Sequence, residues 1–164
     1  MSTQEIAAPV KVAIIGGSGL YEIPGFSQVE AVRLTTPFGE TSDEIVVGSF
    51  SGVRCAFLSR HGRGHRLLPS EIPSRANICA LKMLGVERII GIGACGSLRE
   101  ELAPRHFVIP DQIYDATKRR ESTFFGGGIV AHVSLDQPFC PDMSGLLYET
   151  AGAAGLTVHR GGTY

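Results

Sequence analysis

Three short apolar runs, each emptying into a polar loop that carries glycine, limit this chain more than any other feature. Five of the six residues over 10–15 are apolar, and the run stops at Gly16-Gly17-Ser18-Gly19. VRCAFLS (53–59) likewise meets Arg60-His61-Gly62-Arg63-Gly64-His65, and VERIIGI (86–92) meets Gly93-Ala94-Cys95-Gly96-Ser97. Apolar runs this short, bounded by glycine, predict buried strands ending in loops. Glycine lets backbone N–H groups turn toward an anion with no Cβ in the way, and Ser18 adds a hydroxyl. Three such ends predict one phosphate-sized site where neighbouring strands finish.

The other elements follow from spacing. Residues 1–9 are expected to form a flexible N-terminal tail and residues 10–164 a single domain. VEAVRLTT (29–36) and EIVVGSF (44–50) are β-rich, and predict a hairpin with a long loop around Pro37-Phe38-Gly39 and Ser42-Asp43. A helix is predicted over 73–85, with Pro73 in its first turn and Gly85 just past its end. Ala76, Cys79, Ala80, Met83 and Leu84 then share one face. Strand 86–92 completes a strand–helix–strand unit of the parallel type. FVIP (107–110) is a further strand, and 111–139 is a loop without helical period, long enough to suspect function. A second helix over 141–154 places Met143, Leu146, Leu147, Thr150, Ala151 and Ala154 at suitable spacing before Gly155, and a strand starts at Leu156.

The sum is an α/β fold, a mixed, largely parallel twisted sheet flanked by helices. Two helices are few to cover so many strands, so either a partner covers the open face or part of a larger domain is missing, and the second is the expectation. A hydrophobic content of 43% is enough to fill a core. The net charge of −1 gives no global field toward nucleic acid or an anionic membrane. Cys55, Cys79, Cys95 and Cys140 form no Cys-x-x-Cys pair, and three of them lie inside apolar segments, which points to reduced core thiols rather than a disulfide frame or zinc site. With neither a signal-peptide pattern nor a membrane-length apolar run, a soluble cytoplasmic protein is expected.

The loops admit bland and functional readings side by side. Gly17-x-Gly19 lacks the third glycine of a dinucleotide fingerprint, since Glu22 stands there. Arg60 directly follows an apolar strand, where a guanidinium needs an acceptor and offers a fork matched to phosphate. His61 is either a donor to phosphate or sugar or a histidine satisfied by backbone. Arg63, His65 and Arg66 are equally a solvated basic loop. The small residues from Gly93 to Gly96 would let a flat ligand or a phosphate approach the backbone, or mark only a sharp turn. Local sequence places no base beside Cys95, which argues against a thiol nucleophile. His132 is a surface residue or part of a lid.

Specific blocks also carry a resemblance. GGSGL, TPFG with Ser42-Asp43, SRHGRGH, PSEI with SRANICALK, ACGSLREE, FVIPDQ, AHVSLDQPFCP and GGTY resemble the methylthioadenosine phosphorylases, in the trimeric branch of the purine nucleoside phosphorylase family. The resemblance runs from Val10 to Tyr164. It implies an enzyme, a pentosyltransferase, in which phosphate attacks C1′ of 5′-methylthioadenosine to give adenine and 5-methylthioribose 1-phosphate. It also implies phosphate contacts from Ser18, Arg60, His61, Gly93 and Ala94, and nucleoside contacts from Ala94, Cys95 and Gly96. His132 would reach a neighbouring subunit's pocket in a homotrimer. Inorganic phosphate would be a co-substrate, with no cofactor and no metal.

Two departures qualify that resemblance. Family members often carry Thr or Ser at position 93, where Gly93 offers only its backbone N–H. Family chains also run on beyond the GGTY strand, and the family's base platform and general-acid aspartate come from there. No catalytic residue is therefore assigned, and the 164 residues alone are expected to be inactive. Base choice stays open: a sister phosphorylase acting on methylthioinosine, inosine or guanosine fits the same blocks. A non-catalytic phosphate-binding or subunit-interface fragment is the reading from another class.

Overall fold

In a computed structural model, which describes residues 9–17 and 24–164, the chain divides into two compact units. The first runs to Ala94 and adds Arg119–Phe124; the second holds Cys95–Lys118 and Phe125–Tyr164. Of the expected tail only Pro9 is among the described residues, and it is exposed.

The first unit is a five-stranded mixed sheet, as the spacing predicts. Strand β1 (Val12–Gly16) lies between β6 (Val53–Ser59) and β7 (Arg88–Gly91), parallel to both. Strands β5 (Ile45–Phe50) and β2 (Phe26–Val32) extend the β6 side in antiparallel fashion, giving the order β2-β5-β6-β1-β7. The predicted strand 29–36 breaks at Arg33. Its end, β3 (Thr35–Thr36), turns back on β4 (Gly39–Glu40) inside the long loop of the hairpin. Thr36 explains the break: its Oγ1 donates to Gly39 O at 2.7 Å and accepts from Phe38 N–H at 3.1 Å. A side chain that satisfies two backbone groups in a tight turn competes with continued strand pairing.

Helix α1 (Ser74–Met83) joins β6 to β7 and packs on the sheet. It ends as Gly85 predicts. Gly85 has φ +87°, its N–H reaches Lys82 O at 3.0 Å, and the Val86 N–H reaches Leu81 O at 3.1 Å. That reciprocal pair satisfies the last carbonyls of the helix, and Val86 follows straight into the core. The buried face differs from the one predicted. Ala76, Ala80 and Leu84 are buried as expected and Cys79 is half-buried, but Met83 is 52% exposed while Asn77 and Leu81 point inward. The reason is polar: Asn77 Oδ1 accepts the buried Ser42 N–H at 2.8 Å, and this turns its face of the helix toward the sheet. Leu81, one turn on, then joins Val10, Ala13, Ile45, Val47, Ala56 and Leu58 in the core.

The second unit pairs β8 (Phe107–Ile109) with β9 (Val158–Arg160) in parallel, with helix α2 (Pro141–Ala153) resting on both. Gly155 closes α2 with the same two bonds, to Gly152 O and from Leu156 N–H to Ala151 O. None of its residues is fully buried: Met143, Leu147 and Ala151 are half-covered, whereas Leu146, Thr150 and Ala154 are exposed. No helix among the described residues is long and apolar enough to cross a membrane.

All four cysteines are free, but only Cys55 is a core thiol; Cys79 is half-buried, and Cys95 and Cys140 are exposed. Burial pushes the Cys55 thiol above its ordinary pKa. Maleimide labelling of the native protein at neutral pH should therefore modify Cys95 and Cys140 and spare Cys55 until denaturant is added. Urea titration should separate the two helix faces. Leu81→Ala, at a fully buried site, should cost about 2–5 kcal/mol. Met83→Ala should stay within about 0.5 kcal/mol.

Candidate functional site

Parallel pairing brings three strand ends to one edge of the sheet. In the register, Ile15 faces Gly91 and Gly16 faces Ser59, so β1, β6 and β7 run out side by side. Pairing persists one residue past each neighbour: Arg60 N–H donates to Gly16 O at 3.1 Å, and Ile92 N–H donates to Ile15 O at 2.8 Å.

Arg60 then ties the two outer strands together. Its Nη1 donates to Ile92 O at 2.9 Å, so the side chain spans from β6 to the end of β7, past β1. Two strand spacings amount to about 9–10 Å, a distance that only a long side chain covers. Beyond Ile92, Gly93 lies against the Arg60 guanidinium. Among the described residues, no backbone carbonyl takes up the N–H of Gly93 or Ala94. A guanidinium held next to peptide N–H groups that no carbonyl among the described residues takes up is suited to an oxyanion, which can accept from both kinds of donor.

His61 is buried, and its Nδ1 lies 2.9 Å from Leu67 O. A carbonyl only accepts, so Nδ1 carries the hydrogen, and in the neutral ring Nε2 is left as the acceptor. His65 stacks on it with centroids 4.2 Å apart and planes inclined by 15°. His61 thus makes the backbone contact that its residue type allowed, and keeps one ring nitrogen for another partner.

The residues that fix this loop are ones the sequence reading did not assign a role. Ser42 is 1% exposed and bonds through all its polar groups. Its N–H goes to Asn77 Oδ1, its Oγ donates to Ser59 O at 2.6 Å, and its carbonyl accepts from Arg66 Nη2 at 2.8 Å. Asp43 Oδ2 accepts the Arg63 N–H. Arg66 through its side chain and Arg63 through its backbone N–H therefore hold loop geometry, and the loop is not simply a solvated basic turn. The available signal was Ser42-Asp43 lying in a stretch otherwise read as hairpin loop, where buried polar residues need partners.

The remaining candidates lie elsewhere. Ser18 falls outside the described residues, with Gly19 and Leu20. Cys95, Gly96 and His132 belong to the second unit, and each is exposed. Arg60 and Gly93 are thus the pair of predicted residues that the structure brings into contact.

The hub makes a prediction of its own. Ser42→Ala removes the donor to Ser59 O, and should lower stability by about 1 kcal/mol. Hydrogen exchange should rise at the His65 and Leu67 amides, whose N–H groups close the loop, and stay unchanged along β6.

Comparison with known proteins gives a consistent set of similarities. A family model described as the phosphorylase superfamily matches residues 11–164. The chain is 60% identical to the S-methyl-5′-thioadenosine phosphorylase of Chloroflexus aurantiacus, over 93% of this chain and 53% of that protein. It is 56% identical to the protein of the same name from Geobacter sulfurreducens, over 93% of this chain and 54% of that one. Among solved structures, a methylthioadenosine phosphorylase sourced from an Antarctic soil metagenomic library superposes with a TM-score of 0.92 at 51% identity, covering 95% of this chain and 55% of its own. The Schistosoma mansoni methylthioadenosine phosphorylase in complex with adenine gives a TM-score of 0.87 at 39% identity, over 94% and 63%. The chain spans about half the length of the curated relatives it matches.

Proposed function

The chain belongs to the phosphorylase superfamily, and from that premise we propose that it serves the phosphorolysis of 5′-methylthioadenosine to adenine and 5-methylthioribose 1-phosphate. The observation that carries this reading is the Arg60 guanidinium anchored on Ile92 O next to Gly93, with no backbone carbonyl among the described residues taking up the N–H of Gly93 or Ala94. The names of the relatives, S-methyl-5′-thioadenosine phosphorylases, favour the adenine nucleoside over a 6-oxopurine.

In this reading phosphate is a co-substrate and no organic cofactor or metal takes part. The reaction displaces adenine from C1′ and joins a phosphate oxygen to the same carbon. Positive charge develops on the ribose as the glycosidic bond breaks. A phosphate held beneath the sugar both attacks that carbon and stabilises the charge, so its placement is the main task of these loops. Arg60 supplies charge-assisted donors, Gly93 and Ala94 supply peptide N–H groups, Ser18 adds a hydroxyl, and His61 Nε2 would accept from the O–H of a monoprotonated phosphate. Ala94, Cys95 and Gly96 would lie along the nucleoside, and His132 would close the pocket of a neighbouring subunit in a homotrimer acting in the cytoplasm.

The test follows adenine release from 5′-methylthioadenosine with and without phosphate, together with phosphate binding measured by calorimetry. Phosphate should bind in the absence of nucleoside, and any adenine release, which the 164 residues alone are not expected to support, should require phosphate and yield the sugar 1-phosphate. Arg60→Ala removes a charged hydrogen-bond donor worth about 1.5–3 kcal/mol, so phosphate affinity should fall about 10- to 100-fold. Adenine released equally well in phosphate-free buffer, or phosphate that does not bind, would overturn the proposal.

A further inference from the structure

We propose that Arg66 is a positioning residue for His61: its clasp on the Ser42 carbonyl holds Leu67 O against Nδ1, and so keeps Nε2 as the acceptor of the ring. The two residues are joined through Leu67. The Leu67 N–H donates to His61 O at 3.0 Å, and the Leu67 carbonyl lies 2.9 Å from His61 Nδ1. The backbone and the ring of His61 thus bracket one residue, and that residue directly follows Arg66. An anchor on Arg66 therefore steadies the carbonyl that decides which ring nitrogen carries the hydrogen.

The conformation of this loop is one that needs support. Gly62, Gly64 and His65 lie at φ +71°, +77° and +56°, and for the histidine that region costs energy. Arg66 supplies a tie. Its side chain runs along Gly62, where a Cβ would stand 2.9 Å from Nε and 3.2 Å from Cγ, and its Nη2 donates to Ser42 O at 2.8 Å. Ser42 is itself held, since Asn77 Oδ1 takes its N–H and its Oγ donates to Ser59 O. The clasp therefore joins the far end of the loop to the residue before Arg60. The charge of Arg66 is answered locally, because the side chain lines a small cavity together with Glu40, Asp43 and Glu44. A guanidinium bonded to a carbonyl and set among carboxylates serves geometry rather than a bound anion.

The proposal rests on the phosphate reading above for what Nε2 accepts from, and its test keeps the two apart. Nitrogen-15 NMR of the full chain without ligand, at a pH where the ring is neutral, reports the His61 tautomer. The parent protein should carry the hydrogen on Nδ1, and Arg66→Met should divide it between the two nitrogens. Arg66→Gln, too short to reach the carbonyl, gives a second case at this exposed position. A parent ring with its hydrogen on Nε2, or an Nδ1–H tautomer that persists in both variants, would overturn the role of Arg66. Binding of inorganic phosphate to the same proteins is measured calorimetrically. Arg66→Met should bind about three- to tenfold more weakly than the parent. Added to His61→Ala it should cause no further loss, because the arginine acts through the histidine. Equal losses in both backgrounds would reveal a direct effect of the Arg66 charge and refute the proposal. A parent protein that binds no phosphate would instead sink the functional reading, and the tautomer alone would then decide the role of Arg66.

Discussion

The alignment of β1 between β6 and β7 is the constraint on which the rest of this edge depends. Parallel strands in register deliver their C-terminal ends together, and here Gly16, Ser59 and Gly91 mark that line. A slip of one residue in β6 would send the Arg60 side chain to the other face of the sheet and leave Ile92 O without its donor. The core enforces the register: Ala56 and Leu58, on the same face of β6 as Arg60, pack among Ala80, Leu81 and Leu84 of the helix. Hydrophobic burial along one face of a strand thus sets the position of a cation beyond its end.

A second layer of polar contacts holds what the register delivers. Asn77 on α1 grips Ser42, Ser42 grips the carbonyl of Ser59, and Arg66 closes back on Ser42. The helix that covers the sheet is in this way bonded to the loop that carries Arg60 and His61. In the proposed phosphate reading, the groups that would meet the anion are thereby fixed before it arrives, which reduces the ordering cost of binding.

The strands β1, β6 and β7 and both helix stops were legible in the sequence because their signals are local. Apolar runs meeting glycine located the strand ends, and Gly85 and Gly155 each terminate a helix with φ near +80°. The inward face of α1 was not legible. Hydropathy assigned Met83 to the core and passed over Asn77, whose burial depends on a partner 35 residues away. The break at Arg33 was hidden for a similar reason, since Thr36 looks like a strand residue until its hydroxyl closes a turn. The loop after Arg60 admitted a solvated reading because its charges are visible while the acceptors that tie it down, the Ser42 carbonyl for the Arg66 side chain and the Asp43 carboxylate for the Arg63 backbone N–H, are distant in sequence. The contact between Arg60 and Gly93 required the fold, as no spacing rule joins residues on strands that are not neighbours.

Arsenate offers the most direct measurement of the central claim, because it has the shape and charge of phosphate and its own anomalous X-ray signal. Diffraction from crystals of this protein grown with arsenate should show one strong anomalous peak at the shared end of β1, β6 and β7. Its oxygens should lie about 2.7–3.2 Å from Arg60 Nη1 or Nη2 and from the N–H of Gly93 or Ala94. An arsenate bound at full occupancy elsewhere, with that edge empty and Arg60 turned to solvent, would contradict the account.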